Sequence, residues 1–233
     1  VPLLWCRMRY GDAIGSAVRA KLDDAILNFR YWMDEPGNDV QWYFSENHAL
    51  LFHTAAYLAG GLLPEARFRR SGRLGREQSK VGYDRLMGWF DHFEAAEMAE
   101  FNSATYFPID LKGMTALFAL APDADIRARA ARAIARLITV VAHSAHHGVI
   151  TGAQGRSYEH SLCTADTQEL TGMARLLWGI GSFGAHVNCL PQLALCLRDH
   201  GLALPDLGAI ACWEDAAQAQ EWMFSQGQNG FAR

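Results

Sequence analysis

The sequence predicts an all-α protein, an (α/α)n toroid in which outer and inner antiparallel helices alternate. Three observations lead there. The dominant apolar period is helical, with no convincing run of alternating strands. Amphipathic segments (14–33, 77–98 and 125–147) take turns with shorter segments that are apolar on nearly every side (45–59, 111–120 and 166–179). A polar loop precedes each apolar segment. A helix that is apolar all round must be covered on every side, and two layers joined as αα-hairpins are the simplest cover.

Each element has its own signals. The first amphipathic segment, 14–33, runs without Gly or Pro after Gly15 and is stopped by "DEPGND". The first apolar segment, 45–59, has Ser45 as an N-cap and Gly60–Gly61 as a stop. Segment 77–98 places Tyr83, Leu86, Met87, Phe90 and Phe93 on one face, and 111–120 is apolar all round. Segment 125–147 carries an apolar stripe (Ile126, Ala130, Ile134, Leu137, Val141). Its arginines at 127, 129, 132 and 136 form an expected solvated face. Segments 166–179 and 185–200 complete the helices, and "GVITG" (148–152) reads as a short extended piece. Inner helices starting near 45, 110 and 166 give a unit of about 56 to 65 residues. Three units and the start of a fourth are visible. The ring is therefore expected to be open or completed by another chain, or the sequence to be part of a longer one. No internal boundary stands out, and 1–233 reads as a single domain.

Composition narrows the function classes. Half the residues are hydrophobic and a fifth charged, ordinary for a soluble globular chain. A net charge of −4 offers no basic excess for phosphates, so nucleic acid is not an expected partner. No apolar run reaches the roughly 18 residues of a membrane helix, so no membrane partner is expected. The sequence starts at Val1 with no signal-like n- and h-region. Cys6, Cys163, Cys189, Cys196 and Cys212 are odd in number and lack CxxC spacing, which favours buried free thiols over a disulfide framework or a thiolate metal site. The compartment stays open: free thiols fit a reducing cytoplasm, and one cysteine pair fits a secreted enzyme equally.

In a toroid every inner helix starts at the same end, so the loop before each opens on one face. "SENH" supplies Glu46, Asn47 and His48. "EFNSATYFPID" supplies Glu100, Asn102, Tyr106 and Asp110, and "TGAQGRSYEH" supplies Gln154, Arg156, Tyr158, Glu159 and His160. The three loops are expected to converge on one cleft. Helix N-termini favour anions. Asn47 and His48, joined by Arg156, suit binding and polarising a carboxylate, while Tyr106 or Tyr158 suits proton transfer. That set fits β-elimination of a uronate-containing polysaccharide, with Asn102, Glu100, Asp110, Trp42 and His160 lining the substrate. No cofactor and no metal are expected. Trp42, Tyr43, Phe44, Phe101 and Phe107 suit either sugar stacking or plain loop packing.

On these residues the chain resembles the (α/α) toroid polysaccharide lyases, the alginate lyases and the helical domain of heparinase-like enzymes. The resemblance spans most of the chain in architecture, and in motif only Asn47-His48, Tyr106 or Tyr158, and Arg156. It implies carboxylate binding and proton transfer by these residues.

Two other readings stand beside it. Glu46 with Glu100 or Asp110 would serve as acid and base of a glycoside hydrolase at a suitable separation. A non-catalytic helical scaffold would bind a glycan or a protein on its concave face. Asn47 and His48 also suit a plain helix cap. His53 reads as a satisfied core histidine. His143, His146 and His147 have a spacing that holds zinc on a helix but lack an HExxH pattern and a carboxylate partner. No phosphate cradle or nucleophile elbow is present.

Overall fold

The computed structural model describes residues 1–38, 40–185 and 188–212. Helix accounts for 61% and strand for 3%, which makes the class all-α. Backbone contacts divide the chain into two compact units. The described residues of the first are 1–38, 40–95 and 120–122, and those of the second are 96–119, 123–185 and 188–212.

The first unit contains α1 (Pro2–Tyr10), α2 (Ser16–Asn28), α3 (Glu46–Leu62) and most of α4 (Gly75–Ala96). α1 starts with proline in its first turn, where the missing N–H costs nothing. It packs on α2 and α3, and the Arg7 guanidinium grips Asp23 at 2.7 and 3.1 Å. α2 stops at Asn28, five residues before the end expected from the sequence. Beyond it the Glu35 carboxylate takes the Tyr31 N–H at 2.8 Å, and the Tyr31 hydroxyl donates to the Ile26 carbonyl at 2.8 Å. A side chain competing for backbone donors in this way ends a helix.

The Gly60–Gly61 pair does not stop α3, which runs on to Leu62. Gly60 has a packing role instead. A Cβ on Gly60 would lie 2.4 Å from both the Gly75 carbonyl oxygen and the Ser79 nitrogen, and one on Gly82 would lie 2.4 Å from the Tyr57 nitrogen. The α3 and α4 backbones thus approach too closely for any larger residue. Ser79 ties the crossing by donating to the Tyr57 carbonyl at 3.0 Å. α4 begins with its own brace, the Leu74 N–H donating to Glu77 at 2.8 Å. α3 is buried almost all round, as the sequence requires, whereas α4 buries one face through Leu86, Trp89, Phe90 and Phe93.

The second unit contains α5 (Phe107–Leu120, up to 119), α6 (Ala124–Ser144), β1 (Ala145–His146), β2 (Val149–Ile150), α7 (Glu159–Cys163), a single 3-10 turn (Ala165–Thr167), α8 (Thr171–Trp178), α9 (Leu190–Asp199) and α10 (Gly208–Cys212). α5 is buried nearly throughout. α6 is capped by Asp123, which accepts from the Asp125 and Ile126 N–H groups. Its arginine face is not uniformly wet: Arg129 is buried, and Arg136 pairs with Glu97.

α6 ends three residues earlier than its period suggests, because the chain turns there into a hairpin. β1 and β2 pair antiparallel, with His147 and Gly148 at φ 49° and 79° in the two-residue turn. The Gln168 amide extends the pairing, accepting from Ile150 N at 2.6 Å and donating to Ile150 O at 3.0 Å. α10 packs on α6, β1 and α8, and α8 packs on α9. The predicted segments 166–179 and 185–200 shorten to α8 and α9, with residues 186 and 187 outside the described set. Among the described residues, no helix is long and apolar enough to cross a membrane.

Candidate functional site

Within the second unit, the loops before α5 and α7 are laced together. Ser103, fully buried, accepts from Tyr106 N at 3.2 Å while its hydroxyl donates to the Arg156 carbonyl at 2.8 Å. One hydroxyl therefore sets the position of two polar residues at once. Gly155 N donates to the Phe101 carbonyl at 2.8 Å, and a Cβ on Gly155 would meet Ala99 O and Phe101 Cδ1 at 2.8 Å. The Gln154 side-chain Oε1 accepts from Ala104 N at 3.1 Å, and the Asn102 side-chain amide donates to Ala153 O at 3.0 Å. Asn102 sits at φ 54°, a backbone region that asparagine tolerates better than most residues. Thr105 and Ser161 share a hydrogen bond at 3.1 Å.

This lacing brings five side chains into one cluster. The Tyr106 and Tyr158 hydroxyl oxygens lie 2.7 Å apart. Arg156 Nε donates to the Tyr158 oxygen at 3.1 Å, and its Nη1 donates to Glu100 Oε1 at 3.2 Å. The guanidinium carbon stands 5.1 Å from the Tyr106 ring centre and 5.7 Å from that of Tyr158. His160 stacks on the outer tyrosine, with ring centres 5.9 Å apart and planes 8° from parallel.

The two phenols are electrostatically unequal. Burial, reinforced by its bond to Tyr158, pushes Tyr106 up to about 12. Tyr158 is held below the usual tyrosine value of 10 by its bond to Tyr106 and then by Arg156. An arginine donates only, so the Tyr158 oxygen accepts from Nε, and Tyr106 is the natural donor to it. Tyr158 is the phenol of the pair that ionises more readily, and the residue reaches solvent at 38% exposure.

The other residues singled out from the sequence are placed as follows. Asp110, in the first turn of α5, is completely buried, and Glu100 nearly so. Asn102 is buried, and its Oδ1 has no hydrogen-bond partner among the described residues. Glu46, Asn47, His48 and Trp42 belong to the first unit. There Ser45 caps α3, its oxygen accepting from His48 N at 3.4 Å. Ser45 Oγ donates to Asn47 Oδ1 at 2.7 Å and lies against His48 Nδ1. Glu46 is fully buried, and its carbonyl accepts from the Trp89 indole at 3.0 Å. Trp42 is exposed, packs edge-on against Phe44 and has φ 51°.

Ser103 and Gly155 escaped the sequence reading. The signal for Ser103 was its spacing, a hydroxyl three residues before Tyr106 at the head of a helix. Nothing local marks Gly155, because its constraint comes from a distant loop.

Several residues outside the cluster differ from expectation. His143, His146 and His147, from which no metal site was expected, do not share a helix, because α6 ends at Ser144. Among the described residues, no group of three His, Cys, Asp or Glu is placed to hold a metal. His53 is a core residue but an unsatisfied one: burial and Arg85 hold it down at about 3, and its Nε2 has no hydrogen-bond partner among the described residues. Of the five free thiols only Cys189 and Cys196 are buried, each pushed up to about 12. An apolar groove between α8 and α9 is lined by Leu176, Pro191, Ala194, Leu195, Leu197 and Arg198. It offers no acid or base for chemistry. No family model, curated protein or solved structure matches the chain.

Proposed function

We propose that the protein is a polysaccharide lyase that cleaves an acidic polysaccharide by β-elimination, with Tyr158 as the proton-transfer residue. The observation that carries this reading is the Tyr106–Tyr158–Arg156 cluster. It puts an exposed phenol of lowered pKa beside a guanidinium. In the proposed step Arg156 binds the carboxylate of a uronic acid, which makes the neighbouring C5 proton more acidic. Tyr158, as phenolate, removes that proton; the electron pair forms the C4=C5 bond, and the C4–O bond breaks. The leaving oxygen then takes a proton from a tyrosine hydroxyl. Tyr106 keeps Tyr158 ionisable by donating to it. General acid–base catalysis of this kind contributes about 10²- to 10⁴-fold.

Burial supports elimination over hydrolysis. A glycoside hydrolase needs two carboxyl groups facing the sugar, whereas Glu46, Glu100 and Asp110 are all buried. The alternation of helices buried all round (α3, α5) with one-sided ones (α4, α6) supports the (α/α) toroid lyases as the family reading.

The test is a panel of alginate, polyglucuronate, hyaluronan and unsulfated chondroitin, with end-group analysis of the products. A lyase yields unsaturated, ultraviolet-absorbing ends, with activity rising as pH climbs toward the lowered pKa of Tyr158. Reducing ends without that absorbance would make it a hydrolase, and binding without any cleavage would make it a scaffold.

A further inference from the structure

We propose that Glu100 sets the charge this site accepts: one carboxylate per bound sugar unit, with a second anionic group such as a sulfate rejected. The inference rests on the uronate reading for the class of polymer and goes beyond it in assigning specificity to one residue.

Two observations combine. First, the loops 100–110 and 151–160 contain three carboxylates (Glu100, Asp110 and Glu159) and one permanent cation, Arg156. Second, that cation is already half committed. Arg156 Nη1 donates to Glu100 at 3.2 Å, with the Arg156 side chain 48% exposed above a Glu100 side chain that is 5% exposed.

Glu100 therefore lies under the guanidinium, on the side away from solvent. Two faces of Arg156 are occupied by Glu100 and the tyrosines, which leaves its outer edge for a single carboxylate. With Glu100 buried, its charge is screened much less than a surface charge would be. The pair sums to zero, so a ligand's first anionic group is met by a guanidinium while its second finds no further permanent cation in these two loops. Discrimination of this kind works by repulsion and needs no extra contact with the favoured ligand.

The experiment measures binding, so it does not depend on turnover. Unsulfated and sulfated chondroitin tetrasaccharides are titrated into the full chain and into Glu100→Gln by calorimetry at low salt. The wild type is expected to bind the unsulfated form at least about tenfold more tightly, and Glu100→Gln to narrow that ratio to about threefold or less by tightening the sulfated form. Raising the salt should shrink the wild-type ratio as well, a reading that stands even if the variant does not fold. Equal or tighter wild-type binding of the sulfated form, no binding of either, or an unchanged ratio in a folded Glu100→Gln overturns the proposal. Selective binding of the unsulfated form without unsaturated products from any polymer would instead overturn the lyase reading and leave this one standing.

Discussion

Two buried glutamates, Glu35 and Glu100, each meet an arginine, and the two regions use the same kind of pair differently. In the first unit, Glu35 accepts from Tyr31 N and the Gln78 amide, both at 2.8 Å, and meets Arg73 at 3.5 Å. Every one of those partners is spent on the fold. Burial still holds the Glu35 carboxyl above its ordinary value, against the pull of its hydrogen bonds and of Arg73. Its neighbour Asp34 goes the other way: burial opposes ionisation, but hydrogen bonds from Arg73 and Arg85 win and hold it low. In the second unit, Glu100 meets an arginine that continues outward to two phenols, one of them at the surface. An ion pair whose arginine is shared among groups of the fold holds structure together, and one with an open outer edge is able to hold a ligand.

This contrast can be broken by mutation. The largest expected effect is Glu35→Ala, which leaves the Tyr31 N–H and the Gln78 amide without their buried acceptor, Arg73 keeping Asp34, and should cost about 3 kcal/mol of stability by denaturant melting. Its catalytic constants per folded molecule should match the wild type. A loss of turnover without a loss of stability would erase the distinction between the regions. Gly60→Ala should follow at about 2 to 3 kcal/mol, since its Cβ meets backbone that cannot swing aside.

His53 gives a pH signature. Its folded pKa of about 3 lies below the ordinary 6.5. The unfolded chain therefore binds a proton that the folded one does not, and stability falls as pH drops through that window, by about 1.4 kcal/mol per unit. His53→Leu should flatten that slope, and an unchanged slope would show that the ring is not the titrating group.

On the other side, Tyr106→Phe should lower kcat about tenfold and raise the pKa of Tyr158, read from tyrosinate absorbance, with little change in melting. The smallest effect belongs to Arg136→Ala. It removes a part-exposed pair with Glu97 and should change stability by less than about 1 kcal/mol.

Much of this was legible in the sequence, and what was missed has physical causes. The helical class followed from periodicity, and the buried character of α3 and α5 from apolar residues on every face. Ser45 was legible as a cap because capping is local chemistry. Helix ends were misjudged wherever a distant residue decided them. Glu35 ends α2 early, and the hairpin shortens α6. Gly60 continues α3 because a second helix needs the space. Tyr106, Tyr158 and Arg156 could be read as polar groups before helices, but their mutual bonding depends on Ser103 and Gly155 contacts across about fifty residues of chain. No local pattern encodes such a contact. Nor did the sequence reveal that Glu46, Glu100 and Asp110 turn inward, since a buried and an exposed carboxylate share one letter.

The central claim is that Tyr158 moves the proton in an elimination. It is tested most directly by following ultraviolet absorbance while wild type and Tyr158→Phe act on whichever uronate polymer the wild type cleaves. The account predicts a steady rise for the wild type. Tyr158→Phe should fold normally, with kcat reduced at least about a hundredfold and KM changed little, because only the transition state loses its base. A folded Tyr158→Phe that produces unsaturated ends at the wild-type rate would contradict it.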